Sequence, residues 1–224
     1  MCLNNILKLL FAMTRKKKNF GFQKSVIDGT EHIFGASMTE GLPSEYSYKK
    51  YLPDVLNQGS SPICVPCSLS AYINWQLNLS DGSKKDNKVA YYDIFKAKTT
   101  ETADEGMTFK DGLRYLLHHG VKTSSGYFNI KSYAMVRNFL SLKNAIVMNG
   151  PCLGALPVYN YNDKFWTKLY GDTLMGYHAI AIVGYDSEGF IIRNSWGKSF
   201  GKNGYTTIPY EDFSKFVEIW TIVE

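Results

Sequence analysis

The stretch GYHAIAIVGYDSEGFIIRNSWGKSFGKNGY, residues 176–205, decides the fold of this chain. Two runs rich in β-branched and aromatic residues flank a turn at residues 186–189, and this pattern predicts a β-hairpin. His178 lies near the start of the first strand and Asn194 at the end of the second, so the hairpin returns both to the same end of the sheet. We therefore expect a hydrogen bond between them, although each residue taken alone is more typical of a structural role. An Asn carbonyl that accepts from one imidazole nitrogen fixes the tautomer and leaves the other nitrogen for proton transfer.

A second motif, NQGSSPICVPCSLSAY at residues 57–72, holds Cys64 and Cys67 in a C-x-x-C spacing. This spacing suits a redox pair, half of a zinc site, or a catalytic thiol with a second cysteine one helical turn away. A metal site is not expected, because Cys2 and Cys152 are isolated and no histidine stands at a paired ligand spacing. Four scattered cysteines also argue against a disulfide scaffold.

The composition is that of a folded globular chain. Its 224 residues are 45% hydrophobic and 15% aromatic, which is enough for a sizeable core. The net charge of +5 includes a basic cluster at residues 15–18, which is typical of a solvated tail. For this reason no nucleic-acid partner is expected. No apolar run reaches the roughly 18 residues of a spanning helix, and the start does not fit a secretory signal. Residues 3–11 follow helical spacing, so docking, fraying and membrane contact through residues 1–18 all stay open.

The fold class follows from a change of pattern along the chain. The first half is helical and the second half is rich in short β-type runs, which predicts an α+β architecture. Two helices are expected at about residues 64–77 and 89–97. A third is expected to begin at a capping box of Thr108 and Asp111 and to end at Gly120. A fourth is expected after Ser132, through Val136, Phe139 and Leu140. The β-type runs are AIVMNGP, LGALPVY, HAIAIVGY, GFIIRNSW and EIWTIV.

The same change of pattern divides the chain. We expect residues 1–41 to be a leader or short pro-segment and residues 42–224 to be the folded domain. Within that domain, a helical part covers about residues 42–144 and a β-rich part about residues 145–224.

Together, NQGSSPIC, YHAIAIVGY and RNSWGKSFGKNGY resemble the papain-like cysteine peptidases. The order Gln, Cys, His, Asn is the same, and the similarity covers roughly residue 42 to the C-terminus. His178 and Asn194 follow Cys64 by 114 and 130 residues, a slightly compact version of the family's spacing. The resemblance implies a papain-like fold, in which a helical N-terminal subdomain packs on a C-terminal antiparallel β-barrel-like subdomain with the active site between them.

The resemblance also implies a role for each motif residue. Cys64 would be the nucleophile, His178 its acid–base partner and Asn194 the group that orients the imidazole. Gln58, six residues before the cysteine, would donate to the oxyanion together with the backbone N–H of Cys64. Trp196 would shield the hydrogen bond between His178 and Asn194. A thiol at a helix N-terminus beside an imidazolium is expected to be stabilised as the thiolate.

Substrate contacts are expected at Trp196 and at Gly106, where the missing side chain would let a substrate backbone approach closely. The implied activity is peptide-bond hydrolysis by an endopeptidase or exopeptidase through an acyl-enzyme, without a cofactor. The alternatives are a catalytically silent papain-like binding module and a thiol–disulfide oxidoreductase that uses Cys64 and Cys67.

The expected partner is a peptide or protein substrate, and the chain is expected to be a monomer. The family's usual cysteine three residues before the nucleophile is Ser61 here, so the disulfides of secreted relatives are not expected and a reducing intracellular compartment fits. Residues 1–41 are expected either to mask the active site partially, with Leu3, Ile6, Leu7 and Leu10 as an apolar docking face, or to form an inert or membrane-touching tail.

Overall fold

The structure, a computed structural model, describes residues 20–35, 41–98 and 106–224. Within these ranges the α-helices are α1 (Cys64–Leu79), α2 (Tyr91–Lys96), α3 (Phe109–His118) and α4 (Phe139–Asn149). Two 3-10 helices lie at Lys49–Tyr51 and Tyr210–Lys215. The expected helix at residues 3–11 and the basic cluster at residues 15–18 lie outside the described residues.

The strands form one large antiparallel sheet and one small hairpin. They are β1 (Tyr46–Ser47), β2 (Val121–Thr123), β3 (Gly126–Phe128), β4 (Ser132–Met135), β5 (Cys152–Val158), β6 (Gly176–Tyr185), β7 (Gly189–Arg193), β8 (Tyr205–Pro209) and β9 (Glu218–Val223). The large sheet has the order β4-β9-β5-β6-β7-β8, with β1 paired to β6, and β2 pairs with β3. The predicted α+β class is confirmed. Among the described strands the sheet is open rather than a closed barrel, because β4 and β8 are its two ends.

The helix α1 lies in the centre of the molecule. Its residues Leu69, Tyr72 and Ile73 are all fully buried, and nearly every other position of the helix is buried as well. A helix enclosed on all sides is an interior element rather than an amphipathic surface helix. The sheet strand β6 is its main partner, so the two elements that carry Cys64 and His178 are packed against each other.

The helix α3 begins and ends where the sequence predicts. The Thr108 hydroxyl accepts from the backbone N–H of Asp111 at 3.0 Å, and the Asp111 carboxylate accepts from the backbone N–H of Thr108 at 3.3 Å. This capping box satisfies two N–H groups that have no partner within the helix. At the other end, Gly120 has a φ of +67°, a conformation that favours glycine and stops the helix.

Two sequence expectations around α4 are wrong in part. The helix expected after Ser132 begins only at Phe139, so Phe139 and Leu140 are helical as expected, but residues 132–135 form the strand β4, which pairs with β9. The run AIVMN at residues 145–149, expected to be a strand, belongs to α4, so the expected boundary between residues 144 and 145 falls inside a helix. Pairing and packing with the rest of the fold override local β propensity at these positions. No helix in the described parts of the chain is long and apolar enough to cross a membrane.

Candidate active site

The hairpin of β6 and β7 brings together the imidazole and the amide that the sequence pairs. The side-chain oxygen of Asn194 lies 2.8 Å from Nε2 of His178, so the expected hydrogen bond is present and the ring N–H donates to it. The backbone N–H of Ser195 donates to the same oxygen at 2.7 Å, which fixes the orientation of the amide. Both residues are buried, His178 fully. The ring is therefore held in one orientation within a protein environment.

Cys64 is the first residue of α1 and is fully buried. The backbone N–H of Ala179, the residue that follows His178 on β6, lowers the pKa of the Cys64 thiol. The packing of α1 on β6 therefore places the thiol beside the strand that carries the imidazole.

Gln58 joins this group through a chain segment that pairs with the end of β7. Its backbone N–H donates to the carbonyl of Ser195 at 2.9 Å. Its side-chain oxygen accepts from the hydroxyl of Ser195, and its amide nitrogen donates to the carbonyl of Ser61 at 3.0 Å. Because Ser195 binds both Gln58 and Asn194, it fixes two predicted site residues at once. Sequence reasoning gave Ser195 no role, although it is part of the RNSWG motif.

An aromatic cluster encloses the imidazole. Trp196 stacks on His178 with a centroid distance of 4.6 Å and an interplanar angle of 26°, and it is buried. Phe165 packs edge-on against His178 at 5.8 Å and lies 5.0 Å from Trp196. These rings exclude water from the hydrogen bond between His178 and Asn194, which strengthens it. Phe165 was missed in the sequence because its position in the loop between β5 and β6 carries no motif.

Residues 20–23 of the leader lie beside the segment that leads into Cys64, because Gly21 packs closely on the backbone of Pro62. The backbone N–H of Gly21 lowers the pKa of the Cys64 thiol. The Gly21 carbonyl accepts from the backbone N–H of Met107 at 2.8 Å, and the Met107 carbonyl accepts from the backbone N–H of Gln23 at 3.1 Å. These bonds make Phe22 and Met107 partners in a parallel bridge. The leader thus adds one extended segment beside the thiol.

Two glycines allow this close approach. A Cβ on Gly21 would lie 2.0 Å from the carbonyl oxygen of Pro62, and a Cβ on Gly106 would lie 1.6 Å from the carbonyl oxygen of Gly21. Backbone therefore packs on backbone on both sides of Gly21. Gly106, predicted to contact a substrate backbone, here contacts the backbone of the chain's own leader.

The side chains that flank Gly21 fill the space on either side of the thiol. The Phe20 ring lies 6.4 Å from His178, 6.1 Å from Trp196 and 5.9 Å from Tyr161, measured between centroids. On the other side, the Phe22 ring is buried against Phe109 at 4.9 Å. An open depression of about 790 Å³ adjoins Trp196 and Tyr161, the two rings that Phe20 touches.

Burial decides the protonation of the covered thiol. Loss of solvent raises the pKa of Cys64 to about 12, although the backbone N–H groups of Ala179, Val65 and Gly21 oppose this shift. The thiol form is therefore favoured while the leader is in place, contrary to the expectation of a stabilised thiolate. Cys64, Cys67 and Cys152 are free cysteines. No group of three or more potential metal ligands occurs among residues 20–35, 41–98 and 106–224.

The sequence of the chain matches the family described as papain family cysteine protease over residues 50–217. This span is three quarters of the chain and includes all the predicted catalytic residues. The chain belongs to the papain family. The expected resemblance is thereby confirmed.

Two relatives and one solved structure indicate how far the similarity extends. A gut-specific cysteine proteinase of Caenorhabditis elegans is 33% identical over 89 residues, which are 37% of this chain and 27% of that protein. Cathepsin J of Mus musculus is 28% identical over 207 residues, or 75% of this chain and 60% of that protein. The crystal structure of xylellain, a cysteine protease from Xylella fastidiosa, superposes with a TM-score of 0.78 at 22% identity and covers 93% of this chain and 97% of that one. The matches thus span between about a quarter and three fifths of the curated relatives' lengths, whereas the fold is shared almost throughout with xylellain.

The position of Gln58 predicts a loss of turnover on substitution. If its amide donates to an oxyanion, Gln58→Ala should lower kcat for a fluorogenic peptide by about 10²–10³-fold with the fold preserved. Gln76→Ala is the matched control, because Gln76 is a half-buried glutamine on α1 outside the site. Steady-state kinetics and circular dichroism of both variants measure the effect. An unchanged kcat in Gln58→Ala would remove this residue from the reaction.

Proposed function

We propose that this protein is a cysteine peptidase that hydrolyses peptide bonds through an acyl-enzyme. The observation that carries the proposal is the hydrogen bond between His178 and Asn194 beside a cysteine at the start of a buried helix. With Nε2 of His178 bonded to Asn194, Nδ1 is the nitrogen that exchanges a proton with Cys64. Both endopeptidase and exopeptidase activities fit this arrangement.

Each step of the reaction has a residue to perform it. The Cys64 thiolate attacks the carbonyl carbon of the substrate, and the negative charge that develops on the oxygen is stabilised by Gln58 and by the backbone N–H of Cys64. The imidazolium of His178 gives its proton to the leaving amine, which departs and leaves a thioester on Cys64. His178 then takes a proton from water, the water attacks the thioester, and the acid product leaves with the thiol restored.

Labelling with a peptide vinyl sulfone or epoxide tests the activity directly. We expect the probe to modify Cys64, and peptide mapping should find no adduct on Cys67 or Cys152. Labelling should be slow in the full chain and faster in a chain that starts at Leu42. A chain that is unlabelled in both forms would favour the alternative of a silent binding module. The oxidoreductase alternative is not favoured, because it assigns no role to His178, Asn194 or Gln58.

We further propose that residues 1–41 act as a mask of the site, in the manner of a short pro-segment. The leader presents the N–H of Gly21 to the sulfur of Cys64, while the Gly21 carbonyl is turned to Met107. Because this carbonyl is bonded to Met107, we infer that it is not presented to the thiol for attack and that the segment occupies the site without being cut. Leu3, Ile6, Leu7 and Leu10, the expected docking face, lie outside the described residues. The contacts that support masking come instead from residues 20–34.

A second set of contacts holds the leader next to the site. The Lys110 ammonium on α3 lies 2.7 Å from the Glu31 carboxylate and donates to the carbonyl of Val26 at 3.0 Å. The Lys110 side chain is 11% exposed and that of Glu31 is 2% exposed. Near these residues, the buried carboxylate of Glu218 accepts from the backbone N–H of Ser25. A buried charge left without its partner is costly, so each contact favours the docked leader.

Substitution of Lys110 should loosen the mask. In Lys110→Met the stem of the side chain is kept but Glu31 loses its ammonium, so kcat/KM of the full chain should rise about 10-fold, the effect of one lost charge-assisted hydrogen bond. Lys96→Met is the matched control, because its ion pair with Asp93 is exposed. In a chain that starts at Leu42, neither substitution should change kcat/KM. A rise in the truncated chain as well would show that Lys110 acts on the site and not on the leader.

The pH dependence of docking follows from the same ion pair. The hydrogen bond from Lys110 lowers the pKa of Glu31. A lowered pKa means that the contact is fully present above the ordinary value of a glutamic acid, about 4.3, and is lost only as the pH falls through the lowered value. Mild acid should therefore leave the leader docked.

We further propose that the protein works in a reducing intracellular compartment, which the free cysteines Cys64, Cys67 and Cys152 support.

A further inference from the structure

Cys67 is a buried thiol that the proposed hydrolysis does not use. It lies three residues after Cys64 in the first turn of α1 and is 5% exposed. Burial raises the pKa of Cys67, and the neighbouring Cys64 raises it further, whereas the positive charge of Arg193 lowers it. The two cysteines thus lie one helical turn apart in the interior of the protein.

The helical geometry brings these cysteines within reach of a covalent bond. Positions i and i+3 of an α-helix have Cα atoms about 5 Å apart, from a rise of about 1.5 Å per residue and a radius of about 2.3 Å. This separation is already within the range of about 4.4–6.8 Å between the Cα atoms of a disulfide. The Cβ atoms are about 5–6 Å apart in the helix and must approach to about 4 Å for the bond to form. The required movement is therefore an adjustment of about 1–2 Å in one helical turn.

The start of α1 is suited to this adjustment. Cys64 is the first helical residue, so its own N–H forms no bond within the helix. Pro66 has no N–H to lose, and the preceding residue Ile63 makes no side-chain cap. The backbone N–H of Cys67 is bonded to the Ile63 carbonyl at 3.0 Å and keeps the second cysteine in place. Cys64 can thus move towards Cys67 with few hydrogen bonds at stake.

We propose that Cys67 is a resolving thiol, which converts a peroxide-oxidised Cys64 into a Cys64–Cys67 disulfide and so protects the nucleophile. The inference rests on the proposed function only in that Cys64 is taken as the reactive thiol. The Cys64 thiolate attacks one oxygen of hydrogen peroxide, the O–O bond breaks, and sulfur is oxidised to a sulfenic acid as the peroxide is reduced to water. The Cys67 sulfur then attacks the Cys64 sulfur, the S–O bond breaks, and the hydroxide leaves as a second water with the proton of Cys67.

The leader controls when this chemistry occurs. Cys64 is fully buried beneath Gly21, and the thiolate that reacts with peroxide is disfavoured there. Oxidation is therefore confined to the molecules in which residues 20–23 have left the site. In those molecules the same exposure that permits hydrolysis makes Cys64 vulnerable, and Cys67 intercepts the sulfenic acid before a second peroxide can react with it.

Mass spectrometry of the peroxide-treated full chain tests the proposal. After treatment, removal of peroxide by catalase and alkylation of the remaining thiols, the peptide that contains both cysteines should be unalkylated and about 2 Da lighter than its dithiol form. In Cys67→Ala, Cys64 should instead gain about 32 Da as the sulfinic acid, which dithiothreitol does not reverse. Cys152→Ala is the control and should behave as the parent chain. The same treatment is applied to the full chain with Gly21→Ala, in which a Cβ 2.0 Å from the Pro62 carbonyl oxygen prevents the leader from covering Cys64. An unmodified peptide in that variant, or a sulfinic acid on Cys64 with Cys67 intact, would overturn the proposal.

Activity measurements separate this proposal from that of peptidase function. Dithiothreitol should restore most of the hydrolysis of peroxide-treated parent chain and almost none of that of Cys67→Ala, whereas the two untreated proteins should hydrolyse peptide equally. If both untreated proteins are inactive, the peptidase proposal fails and the mass measurement still decides on the disulfide. If both are active and recover equally, the resolving role of Cys67 is wrong and the peptidase proposal stands.

Discussion

Replacement of Cys64 by alanine is expected to lower kcat by about 10⁶-fold, the loss seen when the nucleophile of a serine protease is removed. The reason is that His178, Asn194 and Gln58 can orient and polarise a substrate but cannot form the acyl-enzyme. Removal of the sulfur leaves only the contribution of the oxyanion donors and of binding. The measurement is steady-state hydrolysis of a fluorogenic peptide by a chain that starts at Leu42, in which the leader does not contribute.

The matched control for this prediction is Cys67→Ala. Cys67 is buried in the same helical turn, so its substitution removes a sulfur from nearly the same place without removing the proposed nucleophile. We expect this variant to retain most of the activity. Equal loss in both variants, together with disulfide reductase activity in the parent, would favour the oxidoreductase alternative over the peptidase.

The hairpin that carries His178 and Asn194 could be predicted because its signals are local. Asp186 occupies the turn, and its carboxylate accepts from the backbone N–H groups of Glu188 and Gly189 at 2.9 and 3.1 Å. The side chain of a turn residue thus replaces a backbone hydrogen bond, as is usual for aspartate. The antiparallel pairing of β6 with β7, which has an irregularity between Ile182 and Gly184, then returns the two predicted site residues to the same end of the sheet.

The helix α4 shows where local composition misleads. Its run of Ala145, Ile146 and Val147 has a β-type composition, yet Asn138 caps the helix by accepting from the backbone N–H of Ser141 at 2.8 Å. The buried residues Leu142, Ala145 and Ile146 recur at helical spacing. The cap and the period were both present in the sequence, and together they are stronger signals than β-branched composition alone.

The contacts that complete the site could not be predicted because they are not local. Ser195 reaches Gln58 across 137 positions of sequence, and the pairing depends on the packing of the whole domain. The fit of Gly21 between Pro62 and Gly106 requires three separate chain segments to meet. Gln58 and Gly106 were predicted as site residues, but nothing in the sequence pairs them with Ser195 and Gly21, and those contacts arise only from the fold.

The second large effect is expected from removal of the leader. A chain that starts at Leu42 should hydrolyse a small peptide with a kcat/KM about 100-fold above that of the full chain, if the covered state holds about 99% of the molecules. The physical reason is that Gly21 and Phe20 occupy the space beside Cys64 and His178 that a substrate would need. A peptide of residues 1–41 added back should inhibit the truncated chain. Identical kinetics of the two chains would leave the leader without a masking role.

A single substitution separates masking from other effects of the truncation. In Gly21→Ala the new Cβ would lie 2.0 Å from the carbonyl oxygen of Pro62, so the leader cannot dock in its present position. The full chain with Gly21→Ala should therefore approach the kcat/KM of the truncated chain, and Cys64 should become accessible to solvent. Its pKa should then fall, because burial is the largest cause of the present rise. The rate of alkylation by iodoacetamide as a function of pH measures this fall.

Gly35→Ala is the matched control within the same leader. A Cβ on Gly35 meets no atom within 4 Å, so this substitution changes the chain without disturbing the docked segment. It should leave both kcat/KM and the pH profile of alkylation at the values of the full chain. If Gly21→Ala behaves like Gly35→Ala while truncation still activates, the inhibition arises elsewhere in residues 1–41. If Gly21→Ala activates the full chain and Gly35→Ala does not, the inhibition arises from the backbone contact that Gly21 makes between Pro62 and Gly106.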